Sequence, residues 1–304
     1  EVSYAITEPS IKVVEYAFSN TQPISNKKIN YFYALVIGLT VPFSFIYLLF
    51  FFNTKIHTKK DIDDLNIGAS VIGEIPQIVE NNVIFDDPSQ RSVLAEAFRM
   101  LSSNLKYMLS STKNCHIIIS TSTIKGEGKT FSAVNTSLAL SSLNKKVLLI
   151  GCDLRNPQLH KYLNVNKSVK GLVNYLVDDK DNWRGSLVKF FKHHPTHDIL
   201  LSGALPPNPV QLLNNGNLKK LLDDAKNDYD YIILDTAPTI LVTDTITIAH
   251  LADAILYVSR ANLTEKEILS FPKELISSGK IKNVGIILNG LGSQNKYGYS
   301  YGYQ

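Results

Sequence analysis

A glycine loop followed by lysine and threonine is the segment of this sequence best suited to chemistry. Gly126, Glu127, Gly128, Lys129 and Thr130 lie between an apolar run, HIIIST, and the helical pattern FSAVNTSLAL. Glycines let backbone N–H groups converge on phosphate oxygens, and the first turn of a helix adds the positive end of its dipole. In such a loop the lysine reaches the β- and γ-phosphates, and the threonine hydroxyl is a ligand of Mg²⁺. The segment therefore predicts a phosphate-binding site.

One position departs from the pattern G-x-x-x-x-G-K-[ST], because Thr123 replaces the first glycine. An ordinary strand-to-helix turn that contains GKT by chance is the alternative interpretation. The strand before the loop and the helix after it favour nucleotide binding. We predict that ATP and Mg²⁺ bind here, that the loop from Lys125 to Thr130 contacts the nucleotide, and that Lys129 also acts in catalysis.

A second candidate is the acid that ends the hydrophobic run DYDYIILD. Asp235 lies at the carboxyl end of a predicted strand, where the ligands of parallel sheets collect. An aspartate that ends a strand is common, but together with the glycine loop it is typical of a Walker B acid. We predict that Asp235 holds the metal and takes part in catalysis.

Short apolar strands alternate with helices around these motifs. We predict strands at 116–121, 146–152, 231–234, 254–259 and 284–288, and helices at 93–109, 130–143, 218–227 and 265–277. Strands that are apolar on both faces and alternate with helices indicate a mainly parallel sheet covered by helices on both faces. The predicted fold class is therefore α/β.

An uncharged stretch of 26 residues, 29–54, lies upstream of these elements. At about 1.5 Å per residue, a helix of about 20 residues crosses the roughly 30 Å hydrocarbon layer. A proline in the middle, Pro42, is tolerated in such a helix. Lysines flank the stretch on both sides, so the orientation rests on ATP being cytosolic. We expect residues 1–28 to lie on the extracytoplasmic side of the membrane and residues 55–304 in the cytoplasm.

Composition excludes several classes of function. A formal net charge of +4 over 304 residues is too small to indicate a nucleic-acid-binding protein. The two cysteines, Cys115 and Cys152, form neither a disulfide framework nor a pair with metal-binding spacing. His193, His194 and His197 could bind a metal, but no cysteine or acid within the run completes a site. We expect these histidines to lie in a solvated loop.

The run VLLIGCDLRNPQL resembles a motif of a known protein family. It is similar to the second acidic strand end, DxDxR, of the bacterial tyrosine kinases, relatives of the deviant P-loop ATPases that position division sites and partition plasmids. Asp153 and Arg155 match the second acid and the arginine, whereas Gly151 replaces the first acid. The resemblance implies that Asp153 is a metal ligand or the base for the acceptor tyrosine, and that Arg155 contacts the nucleotide. The resemblance also implies that replacement of the first acid by Gly151 lowers the catalytic rate.

The resemblance extends over nearly the whole chain. The helix EAFRMLSSNL resembles the family's subunit-contact motif E-x-x-R-x-x-R, with matches at Glu96 and Arg99 and with Ser102 at the second basic position. The segments LPPNPVQLL and VIGEIP and the membrane helix also fit. Ile124 stands where the positioning ATPases carry a signature lysine, which favours the kinase branch. The resemblance implies a ring-like homo-oligomer through the Glu96/Arg99 helix, weakened by Ser102.

The C-terminal run KYGYSYGYQ supplies candidate acceptors. Tyr297, Tyr299, Tyr301 and Tyr303 lie among the last eight residues, and the intervening Gly and Ser residues give them no core to bury. A sticky aromatic tail or an edge strand is the alternative. Next to a phosphoryl-transfer site, a cluster of phospho-acceptors is the better interpretation, and it resembles the tyrosine cluster of the family.

These motifs predict an ATP-dependent tyrosine autokinase at the bacterial inner membrane. The resemblance implies control of capsular or exopolysaccharide assembly, with the export machinery and a cognate tyrosine phosphatase as partners. The rival hypothesis is a nucleotide-gated membrane assembly module whose kinase activity has decayed. The predicted domains are the end of an upstream domain (1–28), a transmembrane helix (29–54), a linker (55–90), a P-loop kinase domain (91–292) and the tail (293–304).

Overall fold

The computed structural model describes residues 27–78, 84–163, 165–166, 169–240 and 243–292. The chain divides into two compact units, Glu1–Asn53 and Thr54–Gln304. The predicted acceptor tyrosines and most of the predicted extracytoplasmic segment lie outside the described residues.

The first unit contains one long apolar helix, α1 (Lys27–Phe51), of 25 residues with Pro42 inside. None of its side chains is buried, and an 18-residue window has a mean hydropathy of 2.3. Its length exceeds the roughly 20 residues that cross a bilayer. Within the described ranges it is the one helix long and apolar enough to span a membrane. The helix includes Lys27 and Lys28 and ends three residues before the predicted span.

The second unit is built on an eight-stranded sheet with the order β1-β8-β7-β2-β6-β3-β5-β4. All neighbouring strands pair in parallel except β4 and β5, which pair in the antiparallel direction. The strands are β1 (Ser70–Pro76), β2 (His116–Ser122), β3 (Val147–Gly151), β4 (Leu187–Val188), β5 (His197–Leu200), β6 (Tyr231–Asp235), β7 (Ala254–Arg260) and β8 (Val284–Leu291). The mainly parallel sheet predicted from the sequence is confirmed.

Helices cover the two faces of the sheet over separate apolar clusters. In one cluster Leu149 packs with Phe98 and Leu138, whereas its neighbour Ile150 lies in the other cluster with Leu221. This alternation is expected for a strand buried on both faces. The helices are α2 (Lys59–Asp63), α3 (Val93–Met108), α4 (Lys129–Ser141), α5 (Leu159–Tyr162), α6 (Leu172–Val177), α7 (Pro209–Asn214), α8 (Asn217–Ala225), α9 (Asp244–Ile248) and α10 (Ser270–Ser277).

The segment predicted as a linker, residues 55–90, instead contributes to the folded unit. It contains α2 and β1, and β1 pairs in parallel with β8 at the edge of the sheet. Ile56, Ile75 and Phe85 are fully buried. The acids Asp61, Asp63 and Asp64 make the segment polar on average, but they lie between buried apolar residues that fix the segment to the folded unit.

The predicted helix 265–277 begins later than expected. Glu265 pairs with Lys55 in an antiparallel bridge, a 3₁₀ turn covers Glu267–Leu269, and α10 starts at Ser270. Pro272 lies in the first turn of α10, where its missing N–H group is tolerated.

The three histidines do not form the solvated loop that we expected. His194 and His197 are 2% and 1% exposed. Both rings pack edge-on against Phe191, and His194 also contacts Phe85. Burial lowers the pKa of His197 to about 3, so this ring is neutral and forms part of the core.

Candidate active site

The glycine loop lies between the end of β2 and the start of α4, at the carboxyl edge of the sheet. Gly126 and Gly128 have φ values of +93° and +102°, a region that L side chains rarely adopt. Gly128 caps α4 without any side-chain hydrogen bond to the first turn. The N–H groups of that turn and the helix dipole therefore form a site suited to an anion.

Four sequence-predicted residues meet at the start of α4. The Nζ of Lys129 lies 2.8 Å from Oδ2 of Asp153 and 3.5 Å from Oδ1 of Asp235. The Thr130 hydroxyl donates to Oδ2 of Asp235 at 2.8 Å. β6 lies between β2 and β3 in the sheet, so the ends of three neighbouring strands bring these groups together. Asp153 lies two residues beyond β3, and its Oδ1 accepts from the N–H of Asn156 at 2.9 Å.

The charges of this cluster are coupled because all its members are at most 9% exposed. Burial alone would lower the pKa of Lys129, but the carboxylates of Asp235 and Asp153 outweigh it and raise the pKa. Burial raises the pKa of Asp235, against the opposing effects of Lys129 and of the Thr130 hydrogen bond. One lysine thus faces two acids, so the cluster carries a deficit of positive charge that a cation would offset.

The donor set fits Mg²⁺, which prefers oxygen ligands. Oδ1 of Asp235 is buried and accepts no hydrogen bond from any residue in the described ranges, beyond its ion-pair distance to Lys129. The Thr130 hydroxyl and the two carboxylates supply further oxygens. These three residues are the ones that the sequence predicts as metal ligands.

Arg155, predicted to contact the nucleotide, is held by an acid that the sequence reasoning missed. Its Nε and Nη2 donate to the two carboxylate oxygens of Asp244 at 2.7 and 3.1 Å. Asp244 is 2% exposed and begins α9. This forked ion pair fixes the plane of the guanidinium group.

Two of the predicted loop contacts differ in exposure. Lys125 is exposed at the tip of the loop. The Glu127 side chain is fully buried, and its carboxylate accepts from the Ile124 N–H at 2.8 Å and from the Thr264 hydroxyl at 2.5 Å. Burial raises the pKa of Glu127 to about 7, against those hydrogen bonds. Its side chain therefore braces the loop internally.

Two residues that the sequence reasoning did not single out also hold the loop. The Arg260 guanidinium donates from Nη1 to the carbonyl of Gly126 at 3.0 Å. The Asn289 amide donates to the carbonyl of Glu127 at 2.9 Å. Asn289 follows the apolar run VGIIL in β8. A polar residue at the end of an apolar strand, the same pattern that marked Asp235, could therefore have identified Asn289 from the sequence.

The predicted subunit-contact helix is α3, where Arg99 binds its own chain. Its Nη2 donates to the carbonyls of Pro88 and Gln90 at 2.7 and 2.9 Å. Glu96 pairs with it and keeps 59% of its side-chain area exposed. Ser102, at the second basic position, is completely buried and faces the core instead of the surface.

Comparisons with known proteins give the family. The AAA domain family matches residues 116–267, half of the chain. The tyrosine-protein kinase YwqD of Bacillus subtilis is 34% identical over 211 residues, which cover 69% of this chain and 87% of that protein. The chain belongs to the bacterial tyrosine-protein kinases. The kinase domain of Escherichia coli tyrosine kinase ETK superposes with a TM-score of 0.70 at 27% identity, over 82% of this chain and 100% of that domain.

A longer tyrosine-kinase relative extends the match towards the first unit. A putative tyrosine-protein kinase in the cps region of Klebsiella pneumoniae is 33% identical over 312 residues, 95% of this chain. This chain covers 42% of that relative's length. The resemblance inferred from the sequence motifs is thereby confirmed at the level of the family.

Proposed function

We propose that this chain is an ATP-dependent tyrosine autokinase that phosphorylates its C-terminal tyrosines, Tyr297, Tyr299, Tyr301 and Tyr303. The observation that carries the proposal is the position of Lys129 between Asp153 and Asp235, with Thr130 bonded to Asp235. A lysine, a hydroxyl and two acids around an uncapped helix start are the groups that phosphoryl transfer requires.

Each group of the cluster has a role that follows from its chemistry. The N–H groups at the start of α4 and Lys129 bind the phosphates of ATP, with Lys125 and Arg155 as further contacts. Thr130, Asp153 and Asp235 would hold Mg²⁺, which would neutralise charge on the transferring phosphoryl group. Asp153 accepts the proton of the tyrosine hydroxyl on a carboxylate oxygen. The tyrosine oxygen then forms a bond to the γ-phosphorus of ATP, while the bond from that phosphorus to the β-phosphate oxygen breaks and ADP leaves.

The proposed assembly is a ring of copies that contact one another through α3. Val93, Met100 and Tyr107 are 71%, 42% and 89% exposed and recur every seven residues, on the same side of the helix as Glu96. Apolar residues at this spacing form a continuous stripe that a second helix can cover. In such a ring the tail of one copy reaches the site of its neighbour.

The cellular setting follows from α1 and from the names of the relatives. We place α1 across the bacterial inner membrane with the kinase unit in the cytoplasm, where ATP is found. A relative named for a cps region supports a role in polysaccharide assembly and export. Reversal of the modification requires a tyrosine phosphatase as a further partner.

The test is phosphotyrosine formation by the purified chain with ATP and Mg²⁺, mapped by mass spectrometry. We expect phosphate on the four tail tyrosines and none in Lys129→Met, since the phosphates lose their principal cation. Lys273→Met, which removes an exposed lysine that donates to the carbonyl of Leu65 outside the loop, is the control and should retain wild-type activity. Undiminished phosphotyrosine in Lys129→Met would disprove the proposed site.

Gly151 favours one alternative function. Because the family's first acid is absent at this position, the chain could bind ATP to organise a membrane assembly while transferring little phosphate. Tight ATP binding by a wild-type chain that forms no phosphotyrosine would support this alternative over the kinase.

A further inference from the structure

Side chains from β7 and β8 donate hydrogen bonds to carbonyl groups of the glycine loop. Arg260 extends from the end of β7 and donates to the carbonyl of Gly126, while Asn289 extends from β8 and donates to the carbonyl of Glu127. Consecutive carbonyls are thus bonded by side chains from two adjacent strands, and neither strand carries any of the acids or the lysine of the proposed site.

Peptide geometry gives these two bonds a consequence for the opposite side of the loop. In a trans peptide the carbonyl oxygen and the next N–H group point in opposite directions in one plane. A carbonyl of Gly126 held by Arg260 directs the Glu127 N–H away from β7. In the same way, a carbonyl of Glu127 held by Asn289 directs the Gly128 N–H away from β8. Successive N–H groups turned to one side form a concave anion site.

The packing between β8 and the loop is as tight as glycine permits. A Cβ atom added to Gly128 would lie 2.2 Å from Nδ2 of Asn289, inside any acceptable contact distance. Asn289 itself is 8% exposed. The second glycine of the loop therefore serves two needs, a positive φ and room for this amide.

The loop is also fixed from within, by the Glu127 carboxyl group. Its bonds to the Ile124 N–H and to the Thr264 hydroxyl tie the start of the loop to the segment after β7. Thr264 in turn accepts from the backbone N–H of Arg260 at 2.8 Å. The side chains that hold the loop are therefore linked to one another.

We propose that Asn289 and Arg260 are positioning residues that preorganise the loop N–H groups for the β- and γ-phosphates of ATP. They act on the carbonyl side of the peptide planes and need not touch the nucleotide. A loop fixed before binding loses less conformational entropy on binding, so the bonds contribute to affinity for the phosphates. This inference rests on the proposed ATP site.

The test compares ATP, ADP and adenosine binding to the purified 304-residue chain in detergent micelles. Asn289→Asp replaces the donor by an acceptor and leaves the Glu127 carbonyl without its bond. We expect the Kd of ATP and ADP to rise about tenfold, as for the loss of about 1.4 kcal/mol. Adenosine, which has no phosphates, should bind as it does to wild type, and kcat at saturating ATP should change far less than KM.

Arg260→Met provides an independent second variant, because this side chain is exposed and the change keeps its apolar stem. It should also weaken ATP and leave adenosine unaffected. The matched controls are Asn104→Asp and Lys273→Met. Their amide and ammonium groups donate to the carbonyls of Ile72 and Leu65 at 2.8 and 2.9 Å, remote in the chain from the loop. Both controls should bind ATP like wild type.

The outcomes separate this inference from the proposed function. Wild-type ATP affinity in Arg260→Met and in a folded Asn289→Asp would overturn the inference alone. Equal weakening of ATP and adenosine would also overturn it, because the effect would then not act on the phosphates. A wild-type chain that binds no ATP would overturn the proposed function as well.

Discussion

Gly151 and Asp235 are direct partners in the register of the parallel strands β3 and β6. Side chains at paired positions of adjacent strands point to the same face of the sheet. A Cβ atom added to Gly151 would lie 2.6 Å from Oγ and 3.1 Å from the backbone N of Ser202. The Ser202 hydroxyl donates to the carbonyl of Gly151 at 2.8 Å. Ser202 therefore fills the space beside the position where the family carries its first acid.

Restoring that acid alone is expected to be unfavourable. Gly151→Asp should lower the free energy of unfolding by about 1–3 kcal/mol, as overpacking does, because Ser202 must move. The double variant Gly151→Asp with Ser202→Gly should regain stability and form phosphotyrosine faster than the single variant. Thermal melts and initial rates measure both effects, and Gly151→Ala isolates the steric part. A single variant as stable as wild type and more active would contradict this reasoning.

Glu127 gives the stability of the second unit a dependence on pH. Its pKa rises from 4.5 to about 7 in the folded chain, so folding favours the protonated form. This contribution is complete below pH 4.5 and is lost as the pH rises through 7. Glu127→Gln should therefore gain stability relative to wild type between pH 5 and 8, by up to about 3 kcal/mol.

The measurement is the melting temperature of both proteins across that pH range. Glu74→Gln, a change at an exposed position of β1, is the control and should show a constant difference from wild type. If the difference between Glu127→Gln and wild type is the same at pH 5 and pH 8, the carboxyl group does not titrate in this range.

Asp244 should affect ATP binding only through Arg155. Asp244→Asn removes the charge that holds the guanidinium group, so we expect ATP affinity to fall a few-fold, to the level of Arg155→Gln. The double variant should show no further loss, since both changes remove one interaction. Asp224→Asn, which breaks the surface pair with Arg184, is the matched control. Additive losses would mean that the two residues act separately.

Phosphorylation of the tail should disperse the assembly. Each phosphotyrosine adds about −1.5 to −2 charges, so four add on the order of −6 to −8 to one short segment. Such a tail is repelled by neighbouring tails and by Asp153 and Asp235. Sedimentation of residues 54–304 should show a large species before ATP and a smaller one afterwards. A variant with all four tail tyrosines changed to Phe should stay assembled, and an equal mass for both proteins after ATP would contradict the switch.

The central strands were predictable because each is a short apolar run buried on both faces, and the glycine loop and Asp235 mark their ends. The predictions placed Lys129, Thr130, Asp153 and Asp235 at one edge of the sheet, and the structure brings them together.

The contacts that the sequence did not predict join distant parts of the chain. Arg155 meets Asp244 across 89 positions, and Asn289 meets Glu127 across 162. No periodic pattern encodes such pairs, because each depends on which strands become neighbours. β1 was missed for a related reason: Gly73 and Glu74 interrupt its short apolar run, and its partner β8 comes more than 200 residues later.

The pairing of β1 with β8 limits how far the second unit can be truncated at its N-terminal end. A fragment that starts at residue 91 would leave the backbone N–H and C=O groups along one side of β8 exposed, beside the buried Ile286 and Leu288. Unpaired strand edges of this kind recruit other chains and aggregate. β8 also carries Asn289, whose amide donates to the carbonyl of Glu127. Disorder of β8 in such a fragment would therefore disturb the glycine loop. Insolubility and weak ATP binding would then appear together, from the loss of a segment remote in sequence from every residue of the site.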